Sequence, residues 1–265
     1  MASNEIALQE SRPAFLAERG QVGTEGLNRK VRPSRTKIVQ KNSSDALLEK
    51  FSAGTIIVNP DEIPLCLADE VTGFVPLMWY SEYCKMSANA LRGTEPYVVE
   101  RSYDERSPIA IKASSPQTWS EPHPKYADNP KYNYRYVEYM NFIILLTDPE
   151  FEHIDPLLLS FGKTNYSSGQ RLAKLILQRR ASIFAGKYEL GTRIRENQEN
   201  SWRVYTVDNN KDGGWVADGV LYDKLAQMSD YFSKLHESRD LEAEYEDDVV
   251  DTEATTVPAG ETGKY

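Results

Sequence analysis

Cysteine and histidine are scarce in this chain, which leaves few candidates for a disulfide framework or a metal site. Its 265 residues include two cysteines, Cys66 and Cys84, and three histidines. The cysteines do not form a Cys-x-x-Cys pair, and the histidines are too scattered for sequence spacing to assemble a zinc-ligand set. We therefore expect no metal and no other cofactor, and we expect both cysteines to occupy small apolar positions in the core or in strands.

Long hydrophobic runs are also missing. The longest apolar stretches, at residues 142–146 and 156–159, are far shorter than the ~20 apolar residues of a membrane-spanning helix. The N-terminus has neither the basic start nor the apolar stretch of a secretory signal. The sequence therefore predicts a cytoplasmic protein that does not associate with membranes.

Charge, by contrast, is plentiful and unevenly distributed. Residues 237–265 contain ten acidic and two basic residues, a net charge of −8, whereas the whole chain carries −9. A nearly neutral body with an acidic tail is a layout in which the tail competes for a surface that binds a polyanion. The alternative is a solvating tail that only aids solubility.

Composition divides the chain into three parts. Residues 1–27 are polar with little periodicity and predict a flexible arm, residues 28–236 predict a single folded domain, and residues 237–265 predict a disordered acidic tail. Within the domain, residues 87–132 are rich in proline, glycine and serine turns. That composition favours a long loop or an excursion from the main fold.

Apolar periodicity predicts a mainly β protein with helices, of the α+β class. Strands are expected around residues 36–40, 53–58, 73–80, 132–146 and 156–161, followed by a hairpin of 183–195 and 201–207. Helices are expected at 44–51, 170–182 and 218–237. The last helix spaces its apolar residues by four and three, which predicts a core-facing stripe, and Asp218 is its expected N-cap.

The strongest local reversal of charge lies between Lys163 and Arg203. This segment carries nine basic and three acidic residues, a net charge of +6, and a second basic run extends from Arg29 to Lys41. Basic side chains that follow phosphates, interleaved with flat rings that stack on bases, are typical of single-strand binders. The predicted phosphate-contacting residues are Arg35, Lys37, Lys163, Arg171, Lys174, Arg179, Arg180, Lys187, Arg193, Arg195 and Arg203, and the predicted base-stacking residues are Trp79, Tyr134, Tyr136, Trp202 and Tyr205.

Each of these residues also has a purely structural interpretation. Trp202 and Tyr205 fit core positions, and Arg171, Lys174 and Arg180 fit the solvated face of a helix. A solvated surface usually mixes both signs of charge, however, so the collective excess of +6 favours binding of a polyanion.

Enzymatic motifs do not assemble. Residues 162–164 resemble the end of a phosphate-binding loop, but Leu157 stands where such a loop needs its first glycine. The carboxylates of Asp148, Glu150, Glu152 and Asp155 leave a two-metal nuclease open as an alternative, although their spacing matches no metal-ligand pattern. We therefore expect a protein that is not an enzyme.

From residue 156 to residue 232 the order of features resembles bacteriophage single-stranded DNA-binding proteins of the oligonucleotide/oligosaccharide-binding (OB) type. The resemblance rests on the buried strand ending at 159–161, the basic helix at 171–180 and the strand at 201–205, together with the basic start at 35–40 and the acidic tail. It implies an OB-like barrel with a long insertion and a C-terminal helix. It also implies sequence-independent binding of single-stranded DNA in phage replication or recombination, in the host cytoplasm.

The same resemblance implies that the tail binds replication proteins and competes with DNA. The tail residues concerned are Glu242, Glu244, Glu246, Asp247, Asp248, Asp251 and Glu253. Such tails often end in an aromatic residue directly after acids, whereas Tyr265 follows Gly263 and Lys264. Homo-oligomerisation is compatible with this group, and a different function also stays open: a phage regulatory protein whose basic surface binds an acidic protein partner.

Overall fold

The computed structural model describes residues 30–91, 93–115, 120–198, 200–211 and 214–245. Within these ranges the strands are β1 (Arg35–Ile38), β2 (Ile56–Asn59), β3 (Ile63–Cys66), β4 (Val71–Met86), β5 (Val98–Ser102), β6 (Ser120–Glu121), β7 (Tyr134–Leu146), β8 (Leu157–Gly162), β9 (Tyr188–Glu196) and β10 (Ser201–Asn209). The helices are α1 (Asp45–Lys50), α2 (Pro108–Ala113), α3 (Tyr166–Arg179) and α4 (Gly219–Glu237). None of the helices in the described part of the chain is long and apolar enough to cross a bilayer.

The strands form one mixed sheet. Its main order is β10-β9-β4-β7-β8-β1-β2-β3, with β5 beside β4 and β6 beside β7. The pairing of β1 with β8 is parallel, and the other ladders between described strands are antiparallel. The predicted α+β class is confirmed. The OB-like barrel is not confirmed, because the sheet is open: in the described residues no ladder joins β10 to β1 or β3.

The sheet nevertheless curls so strongly that its two ends share one hydrophobic core. Ile56 of β2 and Leu190 of β9 pack in the same buried cluster as Phe142 of the central strand β7. Across the interior, the hydroxyl of Thr192 donates to the carbonyl of Gly54 at 3.0 Å. The concave side of the sheet therefore holds the main core.

Side-chain hydrogen bonds span the gap where the sheet stays open. The amide of Gln40, just after β1, accepts from the N–H of Arg203 and donates to its carbonyl, both at 2.9 Å. The hydroxyl of Tyr205 donates to Thr36 Oγ1 at 3.1 Å. The two ends of the sheet are thus tied together without a backbone ladder.

Helix α3 covers the rest of the free edge of β10. Asn165 accepts from the N–H of Tyr205, Ser168 donates to the carbonyl of Tyr205, and Arg171 Nε donates to the carbonyl of Val207. An exposed strand edge would otherwise offer these groups to another chain. The edge of β10 is therefore closed to strand addition by side chains rather than by a neighbouring strand.

Helix α3 begins four residues before its predicted start at 170. The sequence there is polar, but Gly169 is buried, and a Cβ on it would lie 2.8 Å from Cβ of Phe161. Ser168 is also buried and bonded to β10. Close packing of the first turn therefore explains the small residues that precede the predicted start of the helix.

Helix α4 covers the convex side of the sheet, as its apolar stripe predicts. Leu225 and Phe232 pack with Leu77 and Cys84 of β4 in a second buried cluster, and both cysteines of the chain are free and buried. Asp218 caps the helix by accepting two backbone N–H bonds from its first turn. The predicted N-cap and core-facing stripe are confirmed.

The described parts of residues 87–132 are folded onto the sheet rather than forming one irregular loop. Strands β4 and β7 extend past the curled core and carry β5 and β6 along their edges, and Ile109 of α2 packs against them. Glu121 accepts from Lys112 and Lys85 at 2.8 and 2.7 Å, and these bonds lower the pKa of Glu121 to about 2. This ion cluster fastens the excursion to β4.

The described start of the predicted tail packs against the body. Leu241, Ala243 and Tyr245 are buried, whereas Glu242 between them is partly buried and Glu244 is exposed. We call residues 241–245 the docked segment. This differs from the prediction of a disordered tail beginning at residue 237, because alternate apolar side chains here fill a groove on the convex side.

Glu242 of the docked segment pairs with cations of the basic run at 29–41. Its carboxylate lies 3.1 Å from Lys30 Nζ, 3.2 Å from Arg32 Nη2 and 3.6 Å from Arg101 Nη1. Glu244 is more exposed and lies 4.0 Å from Arg32. Glu246, Asp247, Asp248, Asp251, Glu253 and the predicted arm at 1–27 lie outside the described residues.

Candidate nucleic-acid interface

Helix α3 is positioned by one apolar face. Leu172 is fully buried in the main core, and Leu175 and Ile176, three and four residues further on, pack against it. This spacing leaves Lys174 and Leu177 on an exposed side of the helix. The predicted amphipathic helix is therefore present, with Lys174 directed away from the core.

A cleft lies between this exposed side and the sheet; we call it the α3 cleft. Its lining residues are Met140, Tyr166, Gln170, Ala173, Lys174, Leu177, Gln178 and Arg180. Among these described lining residues there are two cations and no carboxylate. The nearby carboxylate of Glu138 accepts a 2.8 Å bond from the Tyr166 hydroxyl. The cleft itself therefore presents positive charge and apolar surface to solvent.

Trp79 stands beside this cleft on the same face of the sheet. It pairs with Phe142 in the β4–β7 ladder, and the next pair on that face joins Ser81 to Met140, which lines the cleft. The Trp79 ring lies 6.3 Å from the Phe142 ring at 27°, and the side chain is 51% exposed. The indole thus packs against Phe142, and about half of the residue stays exposed to solvent.

The other predicted stacking residues are less available. Tyr205 is buried, with its ring against Phe161 and its hydroxyl bonded to Thr36. Tyr134 is buried beneath Lys85, whose Nζ lies 4.3 Å from the ring centroid. Periodicity alone could not distinguish these rings from an exposed ring, because all lie on strands.

Tyr136 and Trp202 are half-buried. The Tyr136 hydroxyl donates to Glu121, and Lys112 lies over its ring at 4.6 Å. Trp202 pairs with Arg195 across the hairpin. Both side chains are less exposed than that of Trp79.

Several of the predicted phosphate-contacting residues hold parts of the fold together. Arg195 binds the carbonyl of Thr164 and the hydroxyl of Ser167, at 3.2 and 3.0 Å. Arg203 pairs with Asp69 at 3.1 Å, and Arg35 is buried. Their charges are directed into the protein rather than toward a ligand.

Arg179 and Arg180 are neighbours with opposite surroundings. The Arg179 guanidinium lies over the rings of Tyr188 and Trp215, at 5.0 and 4.7 Å, and Nη2 donates to Asn209 at 2.9 Å. Arg180 ends the helix in the left-handed conformation (φ 52°) and is exposed in the α3 cleft. Of the two, Arg180 is the one placed to meet a phosphate.

The remaining predicted cations are dispersed. Arg193 is exposed on β9, and Lys37 and Lys187 are half-exposed. Lys163 Nζ lies 3.4 Å from the Tyr97 hydroxyl, on the side of β7 where Tyr97 packs in the convex cluster. The structure therefore brings Trp79, Lys174 and Arg180 to one region and leaves these four elsewhere.

Replacement of Arg171 is expected to affect stability rather than ligand binding. Arg171 bonds Val207 and forms an ion pair with Asp208, so Arg171→Met should lower the free energy of unfolding by about 1 kcal/mol, as expected for a largely exposed charge-assisted bond. Lys174→Met, on the exposed side of the same helix, should leave stability unchanged and lower the salt slope of the single-strand binding that the sequence predicts by about 0.7. Urea unfolding and binding titrations at several salt concentrations separate the two. A reversed pattern would contradict this division.

Sequence reasoning missed Trp215 and Lys211. Trp215 is 50% exposed beside Arg179, and Lys211 lies in the same pocket. In the sequence, Trp215 is a single tryptophan after two glycines in a polar segment. Such a segment has no apolar periodicity, so it does not predict whether the tryptophan is exposed.

The carboxylates considered for a nuclease are not gathered into a metal site. Asp148 Oδ2 accepts from the Thr72 hydroxyl and from the N–H of Gly73, at 2.8 and 3.1 Å, and so closes a turn. In the described ranges no group of three or more His, Cys, Asp or Glu side chains is arranged to hold a metal ion. Asp148 thus has a structural role at the start of β4.

Comparison with known proteins identifies a family. A family model described as "Pam3 phage gp34-like protein" matches residues 12–237, which is most of the chain, and the protein belongs to that family. The match supports the phage origin that the sequence resemblance implied. No curated protein and no solved structure matches the chain.

Proposed function

We propose that this member of the Pam3 phage gp34-like family binds single-stranded DNA through the α3 cleft, without sequence preference and without catalysing a reaction. The observation that carries the proposal is the half-exposed ring of Trp79 beside a cleft lined by Lys174 and Arg180. A base stacks on the open face of the indole, and the two cations neutralise adjacent phosphates. The protein would act in phage replication or recombination in the host cytoplasm.

The proposal relies on a smaller set of residues than the sequence predicts. It retains from the OB resemblance a curved sheet face beside a basic helix, with DNA on that face, rather than a closed barrel. Trp79, Lys174 and Arg180 are its principal contacts. Tyr134, Tyr205, Arg171 and Arg195 serve the fold.

The acidic tail would compete with DNA and bind replication proteins. Residues 246–265 contain six acidic residues and one basic residue, a net charge of −5. The docked segment fixes the origin of this stretch against the body. Tail competition is thus intramolecular, at an effective concentration set by the length of chain after Tyr245.

Removal of residues 246–265 is expected to tighten single-strand binding, most strongly at low salt, because it removes an intramolecular competitor. The truncation must end at Tyr245, since a cut at residue 237 would also delete the buried docked segment. Fluorescence anisotropy with labelled oligothymidylate measures the change. Equal affinities with and without residues 246–265 at low salt would refute tail competition.

Trp79→Ala is expected to weaken binding of oligothymidylate by about 5- to 150-fold, since stacking on one aromatic contributes ~1–3 kcal/mol. Anisotropy with single-stranded and duplex oligonucleotides of the same sequence tests this. Tyr231→Ala is the matched control, because Tyr231 is 54% exposed on α4, on the opposite side of the sheet.

The proposal requires three results together: preference for single strands, weakening by salt, and loss of affinity with Trp79→Ala but not with Tyr231→Ala. Absence of binding by the unaltered protein would refute it. It would then favour the alternative of a basic surface that binds an acidic protein.

A further inference from the structure

A second pocket lies on the other side of α3. Its lining residues are Leu175, Gln178, Arg179, Asn209, Asn210, Lys211 and Trp215. Gln178 lines both this pocket and the α3 cleft. The two sites are therefore neighbours across the last turn of the helix.

The Trp215 ring in this pocket is held firmly on one face. The Arg179 guanidinium lies 4.7 Å from its centroid and 5.0 Å from that of Tyr188, so the arginine is placed between two rings. A Cβ on Gly214 would lie 2.5 Å from Arg179 Nη2, which shows how closely the backbone approaches this stack. The N–H of Val216 donates to the carbonyl of Ala185, and the N–H of Lys187 donates to the carbonyl of Gly214, which holds residues 214–216 against the body.

Trp215 and Trp79 therefore share an unusual arrangement. Each indole has one face supported, by Arg179 and by Phe142 respectively, and each is half exposed, at 50% and 51%. A ring that is already held on one side loses little conformational entropy when a base stacks on its free face. Tryptophan is enriched at binding interfaces, where a large apolar ring with a polar N–H gains from being covered.

Charge near the helix end favours a phosphate backbone between the two rings. The carbonyls at the C-terminus of a helix carry partial negative charge, which by itself disfavours phosphate. Here Arg180 and Lys211 are exposed on either side of that end, and Arg179 adds a third cation beneath Trp215. Glu189 accepts a 3.0 Å bond from the N–H of Lys211, so three cations face one contacting carboxylate and the local balance stays positive.

We infer that Trp215 is a second base-stacking site, and that a bound single strand crosses the last turn of α3 from Trp79 to Trp215. This inference rests on the proposed function and deepens it, since it makes the ligand a strand long enough to reach both rings. Lys211 and Arg180 contact phosphates between the stacked bases. A strand confined to the α3 cleft would contact only Trp79.

The test compares Trp215→Ala with Trp79→Ala and Tyr231→Ala on oligothymidylates of about 4 and about 16 nucleotides, a range that covers common single-strand site sizes. With the longer strand, both tryptophan variants should bind about 5- to 150-fold more weakly than the unaltered protein. Trp215→Phe should restore most of the affinity, because it keeps a ring. Addition of DNA should quench tryptophan fluorescence less in Trp215→Phe than in the unaltered protein.

The outcomes separate this inference from the proposal on which it rests. If Trp79→Ala weakens binding while Trp215→Ala behaves like Tyr231→Ala, the second site is wrong and the α3 cleft proposal stands. If the unaltered protein does not bind, both are wrong. Should Trp215→Ala not fold, Lys211→Ala, on an exposed side chain, must lower the salt slope by about 0.7 for the inference to hold.

Discussion

Replacing Arg101 by methionine is expected to lower the free energy of unfolding by about 3 kcal/mol at neutral pH. Glu82 is completely buried on β4, and Arg101 Nη1 lies 3.1 Å from its Oε1. The other carboxylate oxygen accepts from the Tyr245 hydroxyl at 2.8 Å and from Asn141 at 3.1 Å. Without Arg101, the buried carboxylate would keep its charge but lose its cation. An uncompensated buried charge strongly destabilises the folded state.

The pH dependence of this loss identifies its cause. Burial raises the pKa of Glu82, with Arg101 opposing the shift, so removal of Arg101 should raise it further. A raised pKa in the folded state means that protonation stabilises the fold at acid pH and that this contribution disappears as pH rises through the folded pKa. The deficit of Arg101→Met should therefore be largest at neutral pH and should shrink toward pH ~4.

Urea unfolding of Arg101→Met across this pH range measures the effect. The double variant Glu82→Gln with Arg101→Met should recover most of the lost stability, because no buried charge remains. Lys50→Met is the control: it removes the exposed pair with Glu62 and should change stability by less than about 1 kcal/mol. A deficit independent of pH, or no recovery in the double variant, would contradict the role assigned to Arg101.

Tyr245→Ala is expected to release the docked segment and to lower the free energy of unfolding by about 3–5 kcal/mol, as for other buried aromatic residues. Tyr245 is 6% exposed, and its ring lies 4.1 Å from that of Tyr139 at 20°. Its loss would leave a cavity beside Glu82 and remove one hydrogen bond from that carboxylate. The measured cost is limited by the free energy of docking, since the segment can detach once Tyr245 is gone.

Limited trypsin digestion distinguishes detachment from general unfolding. Arg239 is exposed between α4 and the docked segment, in the left-handed conformation at φ 62°. In Tyr245→Ala this site should be cut faster than the rest of the domain, whereas Tyr245→Phe, which keeps the ring, should lose only about 1–3 kcal/mol and stay protected. Equal protection of Arg239 in the unaltered protein and in Tyr245→Ala would show that Tyr245 does not hold the segment.

The sequence predicted elements well where apolar residues repeat with a regular period. The stripe of α4, its cap at Asp218 and the hairpin of β9 and β10 all follow from local spacing. The start of α3 and the docked segment could not be predicted in this way. Their small or charged residues have no regular spacing, and only their contacts in the folded protein explain them. In the sequence, Leu241 and Tyr245 are isolated apolar residues in an acidic segment. Only the folded structure shows the groove in which they are buried.

The sequence predicted the types of residue in the candidate site, but not which individual residues form it. Arg179 and Arg180 are adjacent and equally basic, yet one lies between two rings and the other faces solvent, according to where the helix ends. Trp79 and Tyr205 both lie on strands, and only the packing of the curled sheet leaves Trp79 exposed. Trp215 was missed because a loop tryptophan has no pattern to indicate its surroundings.

Photochemical crosslinking of 5-iodouracil-substituted single-stranded DNA to the protein, followed by peptide mapping, tests the central claim most directly. The account predicts crosslinks at Trp79 and within residues 170–180, and none at Tyr231 on the opposite side of the sheet. Crosslinks confined to the basic run at 29–41 or to α4 would place the DNA elsewhere, and no crosslink at all would contradict single-strand binding by this protein.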